Sequence, residues 1–139
     1  MKVGIVYPNK SLSSKLLAED LSKEITTYPR LMNDFNYDES FDYLVIIYEQ
    51  SLNSKQVKSF INQLSRNHIK NMSLCYMYKI SDKHVHKMVD LCHQQDIPLM
   101  RELYTCKIPF IQKPYLQEEI LSHARTYMND MITIIHNYY

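Results

Sequence analysis

The chain of 139 residues contains a single glycine, Gly4. At the usual frequency of about 7%, a chain of this length would carry about ten. A glycine-rich loop that wraps a phosphate in bare backbone is therefore excluded by composition. Cysteine is nearly as informative. Cys75, Cys92 and Cys106 are odd in number and include no C-x-x-C pair, which excludes a disulfide framework and a zinc knuckle and points to a reducing compartment. Charge of one sign is lacking too, with 16 basic against 15 acidic residues and a net charge of +1. Lys10 with Lys15, and Lys79 with Lys83, are sparse pairs, so there is no concentrated basic face and no nucleic-acid partner is expected. No apolar run approaches the roughly 18 residues of a membrane span. Met1-Lys2-Val3 leads straight into a short apolar run without a signal peptide. The expectation is one cytoplasmic domain spanning residues 1–139, with no membrane partner.

Four apolar runs are present. Val3-Gly4-Ile5-Val6-Tyr7 is short and β-branched, and Pro8-Asn9 ends it, as expected of a buried central strand. Residues 41–48 form the strongest strand pattern, residues 72–78 a third, and residues 97–104 a fourth with Pro98 near its start. A weaker strand is expected at residues 30–33, at a sheet edge. Helical periodicity fills the gaps. Residues 14–25 align Leu16, Leu17, Leu21 and Ile25 behind Ser13 or Ser14 as N-cap. Residues 54–68 align Val57, Phe60, Ile61 and Leu64, and residues 81–94 align Val85, Met88, Val89 and Cys92. Residues 116–136 form a long closing helix, with Ile120, Leu121, Ala124, Tyr127, Met128, Met131 and Ile135 inward. A single helical turn is expected within residues 33–40. Alternating strands and helices predict an α/β three-layer, doubly wound sandwich around a five-stranded parallel sheet of order 2-1-3-4-5. Ligands of such sheets bind where the winding reverses, outside the ends of the first and third strands. Here those ends lie at residues 7–14 and 48–54.

The opening strand, loop and helix resemble the start of the flavodoxin family. The family's phosphate-loop pattern [ST]-x-T-G-x-T falls on Asn9-Lys10-Ser11-Leu12-Ser13-Ser14. Glu102-Leu103-Tyr104-Thr105-Cys106-Lys107 is similar to the fifth-strand segment of many members. Lys113-Pro114 with Glu118-Glu119, Ala124-Arg125 and Tyr127 is similar to their closing helix. The resemblance implies an FMN-binding electron carrier that works with a redox partner protein. Its phosphate would lie at Asn9, Lys10, Ser11, Leu12, Ser13 and Ser14, with the flavin beside Tyr48, Glu49, Gln50, Tyr78 and Lys79. Leu12 stands where the family has glycine. A positive φ there would cost leucine roughly 1–2 kcal/mol, and its side chain is expected in the phosphate space. The other reading is a relative that has lost FMN and acts as a binding or regulatory module. Tyr48 and Tyr78 can stack on a flavin or can simply end buried strands. Ser11, Ser13 and Ser14 can hold an anion or can cap the helix, since both use the same geometry. Glu49 is expected to be a solvated loop residue.

Other chemistry finds little support. Phosphoryl transfer to aspartate, as in receiver domains of the same topology, needs acidic residues after the first strand and an Asp ending the third. Those places hold Tyr7-Pro8-Asn9 and Tyr48. His84 and His86 are two apart and His86 and His93 seven apart, so neither pair gives the i, i+4 spacing of a helical metal site. No catalytic constellation and no metal site are expected. The apolar tail, with Ile132, Ile134, Tyr138 and Tyr139, suggests a homodimer or partner surface on the closing helix.

Overall fold

The computed structural model describes residues 1–50 and 54–138. In chain order the elements are β1 (Val3–Tyr7), α1 (Leu12–Glu24), β2 (Pro29–Leu31), β3 (Tyr43–Glu49), α2 (Ser54–Gln63), β4 (Met72–Tyr78), α3 (Val85–Gln94), β5 (Tyr104–Lys107) and α4 (Glu118–Tyr138). The sheet is parallel and ordered β2-β1-β3-β4-β5, as the alternation of strands and helices predicts.

Both sheet faces are covered, so the central strands read as continuous apolar runs. Every residue of β3 is buried. Tyr43, Val45 and Ile47 pack with Leu17, Leu21, Ala124 and Met128, beneath α1 and α4. Leu44, Ile46 and Tyr48 face Val57, Phe60, Met88 and Cys92, beneath α2 and α3. On α4, Ile120, Ala124, Met128, Met131 and Ile135 are buried in the helical spacing expected of them.

Two elements differ from the sequence reading. A 3-10 turn at Met32–Asp34 is the only helical part of the segment between β2 and β3. After it the chain is held by aromatic packing, with Phe35 4.9 Å from Phe60 and 5.6 Å from Phe41 between ring centroids. The fourth strand, expected over residues 97–104, is β5 at Tyr104–Lys107, preceded by a bridge of Leu99 to Met72. Met72 N–H donates to Pro98 O at 2.9 Å and Met100 N–H to Met72 O at 2.7 Å. The register then moves to Cys75 beside Tyr104. The edge therefore holds more residues than β4 beside it and bulges at the exposed pair Arg101 and Glu102.

Scarce glycine has a visible structural consequence. Helix α1 ends in a Schellman motif, with Thr27 N–H bonded to Ser22 O and Thr26 N–H to Lys23 O. The left-handed residue there is Thr26, at φ 54°. Helix α3 ends in the same way, with Asp96 at φ 57°. Positions that usually take glycine are thus filled by residues with a β-carbon. The one glycine sits where a side chain does not fit. A β-carbon on Gly4 would lie 2.6 Å from Phe41 Cε1 and 3.1 Å from Leu44 Cδ1. The Phe41 ring cannot easily yield, because it stacks on Phe35 and is flanked by the charges of Lys2 and Arg30, 5.1 and 5.0 Å from its centroid. Those two cations also bind Glu39, at 2.8 and 2.6 Å. The Arg30 and Lys2 hydrogen bonds hold the Glu39 carboxyl down at about 2, far below its ordinary value.

Three stability predictions follow from this packing. Gly4→Ala is expected to destabilise the protein by about 1–3 kcal/mol through overpacking, read from the midpoint of urea unfolding. Thr26→Gly is expected to stabilise it by roughly 1 kcal/mol, because a β-branched residue leaves the left-handed region. Glu39, with its depressed pKa, contributes stability that is full at neutral pH and is lost as pH falls from about 4.5 towards 2. Glu39→Gln should flatten acid unfolding in that window.

Candidate functional site

The carboxyl ends of β1 and β3 meet at the amino end of α1. Ser11 is the N-cap of α1 and its Oγ accepts from Ser14 N–H at 3.3 Å. Ser11 Oγ and Ser14 Oγ are hydrogen-bonded at 2.7 Å. Ser11 Oγ donates in turn to Glu49 Oε2 at 2.9 Å. Glu49 is 1% exposed, which corrects its reading as a solvated loop residue. The period-2 series Tyr43, Val45, Ile47, Glu49 carries its side chain to the α1 and α4 face. Its Oε1 has no hydrogen bond among the described residues, but Lys79 Nζ forms an ion pair with it at 3.9 Å. A carboxylate at a helix N-terminus is favoured by the helix dipole, and the serine chain links the two.

The rest of the loop is also engaged. Asn9 N–H donates to Gln56 Oε1 at 3.0 Å, and Gln56 Nε2 donates to Asn9 Oδ1 and Asn33 Oδ1. Gln112 Nε2 donates to Ser13 Oγ at 3.3 Å. Ser11, Ser13 and Ser14 are all buried. Gln56 and Gln112 come from segments remote in sequence, and no local pattern marks them. Lys10, and not Leu12, is the left-handed residue, at φ 62°. Leu12 is the first residue of α1 and is 42% exposed, so it leaves the space at the helix end to Glu49.

The strand ends expected to face a flavin are closed in the same manner. Gln50 Oε1 accepts from Lys79 N–H at 3.0 Å and Ile80 N–H at 3.3 Å, joining the loops that follow β3 and β4. Tyr48 is 3% exposed and lies against Tyr76, 4.9 Å between centroids, beneath α2 and α3. Tyr78 is half-buried behind Tyr76. Ser51, Leu52 and Asn53, part of the expected flavin loop, lie outside the described residues.

An FMN phosphate does not fit this arrangement. At about 4 Å and an effective dielectric of about 20, each added negative charge would meet the Glu49 carboxylate with roughly 4 kcal/mol of repulsion. That exceeds the roughly 1.5–3 kcal/mol that a hydroxyl bond to a charged group returns. A shallow hollow of about 520 Å³ does lie on the loop itself, lined by Tyr7, Asn9, Lys10, Ser11, Leu12, Lys15 and Leu31, and it opens towards β2, on the side of β1 away from Gln50 and Lys79.

Among the described residues no group of three or more His, Cys, Asp or Glu is placed to hold a metal ion. Burial pushes the Cys106 thiol up to about 11 and the Cys92 thiol up to about 12, and raises Cys75 further. On α4, Ile132 and Ile134 are partly buried against the core, while Tyr138 is exposed. Phe110, Ile111 and Tyr115, between β5 and α4, are the larger group of exposed apolar side chains. Ser11→Ala is expected to cost about 1–2 kcal/mol in thermal or urea unfolding, since it removes the cap of α1 and strands Glu49.

No family model matches the chain, and no curated protein matches its sequence. Solved structures do match its fold. A flavodoxin from the domain Archaea superposes with a TM-score of 0.74 at 12% identity, covering 99% of this chain and 100% of that one. Oxidised flavodoxin 1 from Bacillus cereus gives 0.72 at 7% identity, over 96% of this chain and 98% of its own. Rubredoxin:oxygen oxidoreductase from Desulfovibrio gigas gives 0.71 at 9% identity, over 97% of this chain but 36% of that longer one. No helix among the described residues is long and apolar enough to cross a membrane. The five-stranded parallel sheet of order 2-1-3-4-5, its four helices and these superpositions together give the chain the flavodoxin-like fold.

Proposed function

We propose that this chain is a flavodoxin-fold binding module that works without FMN. The observation that carries this reading is the buried Glu49 carboxylate bonded to the N-cap of α1. In this reading Glu49 stands where the resemblance puts the FMN phosphate, and the serines of the loop serve the helix and Glu49. An FMN electron carrier would have to expel that carboxylate and break the Gln50 bridge between the two flavin loops. Neither change is compensated by glycine backbone able to approach the ring.

The module acts through a surface. Its partner face is the exposed apolar group Phe110, Ile111 and Tyr115, tied to the amino end of α1 through Gln112 and Ser13. Tyr138 is exposed at the far end of α4, where self-association is the alternative. The three unpaired thiols suit a reducing, cytoplasmic setting.

Titration of FMN with the purified protein, followed by flavin fluorescence, tests the reading. The expected result is a colourless protein and no saturable quenching, with any Kd weaker than about 1 mM. A yellow preparation, or quenching with a Kd near or below about 1 μM, would establish the electron carrier instead.

A further inference from the structure

Strand β5 has β4 on one side and, among the described residues, no strand on the other. Ile108 N–H donates to Tyr78 O at 2.8 Å. Successive residues of a parallel strand direct their backbone groups to opposite sides, so the N–H and C=O of Thr105 and Lys107 point away from β4. No hydrogen bond among the described residues takes them up. A groove runs beside this free edge. One hollow, of about 220 Å³, lies between β5 and the start of α4, at Gln117, Glu119, Ile120 and His123. A second, of about 50 Å³, adjoins it at Gln117 and Ile120 and lies against Pro109, Ile111 and Tyr115. Each is smaller than the roughly 300–1,000 Å³ of small-molecule sites, so the groove suits single side chains of a bound polypeptide.

The connection after β5 is pinned while its apolar side chains face outward. Ile108 is buried, and Gln112 Nε2 donates to Lys113 O at 2.9 Å and to Ser13 Oγ at 3.3 Å. Pro109 and Pro114 restrict the backbone further. Phe110, Ile111 and Tyr115 are exposed between these anchors. Charge on this stretch is of one sign. Lys107 and Lys113 are the only charged residues from Leu103 to Gln117, and neither forms an ion pair among the described residues. Lys113 Nζ lies 6.0 Å from the centre of the Tyr115 ring. Of the carboxylates that follow, Glu118 is bound to Arg125 at 3.0 Å, while Glu119 on the α4 wall opposes the two lysines.

We infer that the β5 edge binds an extended acidic segment of a partner protein, which adds as a sixth strand, seats apolar side chains against Phe110, Ile111 and Tyr115, and sets carboxylates against Lys107 and Lys113. This deepens the partner face proposed above and rests on that reading. A lysine on an edge strand discourages unselective pairing, and a carboxylate on the incoming strand turns that penalty into selectivity. A second copy of this chain would bring the same two lysines to the seam, and like charges across an interface are costly. A lipid surface supplies no backbone ladder for Thr105 and Lys107, and its anionic face would meet Glu119.

Selection of random short peptides displayed on phage against the immobilised protein tests it. The expected result is enrichment of peptides with Asp or Glu beside β-branched or aromatic residues. A synthetic copy of the most enriched peptide should give saturable amide shifts over residues 104–117 and slow hydrogen exchange at the Thr105 and Lys107 amides. Lys107→Ala with Lys113→Ala, both at exposed positions, should weaken that peptide about five- to tenfold and leave the melting temperature unchanged. No enrichment, enrichment of basic peptides, unaltered exchange at Thr105 and Lys107, or full affinity in the double variant would overturn the inference. Shifts over the same residues with phosphatidylserine vesicles alone, or with rising protein concentration alone, would overturn it in favour of a lipid surface or a second copy. Saturable FMN binding would instead count against the module reading itself, which separates the two failures.

Discussion

Glu49 and the amino end of α1 form the interaction on which the rest of the site depends. A carboxylate at 1% exposure is expensive unless charge and hydrogen bonds compensate it. Here the compensation comes from the Ser11 hydroxyl, the first turn of α1 behind it and Lys79 at 3.9 Å. The same arrangement of helix end and hydroxyls would suit an external phosphate. An internal anion occupying it turns a ligand-binding corner into a structural one. Side chains of the chain itself then tie the β1–α1 loop to the end of β3 through Ser11 and Glu49, to α2 through Gln56 and to the β5–α4 connection through Gln112, while Gln50 ties the end of β3 to the β4–α3 turn.

Glycine scarcity fits this picture. A fold that receives a flavin needs backbone free to approach the ring and the phosphate. With no such approach to make, the loops can carry Lys10, Gln50 and Lys79, and the helices can end on Thr26 and Asp96 at a modest cost in strain. Gly4 remains because β1 crosses the Phe41 ring too closely for a methyl group. What the chain retains is the architecture, with a shallow hollow over the β1–α1 loop and a second opening between α2 and α3.

Much of the architecture was legible in the sequence because it rests on periodicity. The continuous run of β3 and the 3.6-residue spacing on α4 reflect burial on two faces and on one face respectively, and both appear in the structure. The site was less legible. Glu49 reads as a polar residue after a strand, and only the alternation from Tyr43 shows that β3 continues through it. The partners Gln56 and Gln112 lie 47 and 99 residues from the atoms they bind, beyond the reach of any local pattern. Lys10 was named as a loop residue, but its positive φ was looked for at Leu12, because lysine carries no signal for that conformation. The apolar run at residues 97–104 placed β5 too early, because Pro98 and the apolar residues after it mimic a strand start while the exposed pair Arg101 and Glu102 breaks the pairing; the family resemblance at Glu102–Lys107 marked the segment that holds β5.

The most direct measurement is a double-mutant cycle between Ser11 and Glu49, using Ser11→Ala, Glu49→Gln and the pair, read by urea unfolding. A charge-assisted hydrogen bond that closes the α1 end predicts a coupling energy of about 1–3 kcal/mol between the two sites. Additive effects, with coupling below about 0.3 kcal/mol, would show that Glu49 does not hold this corner and would contradict the account.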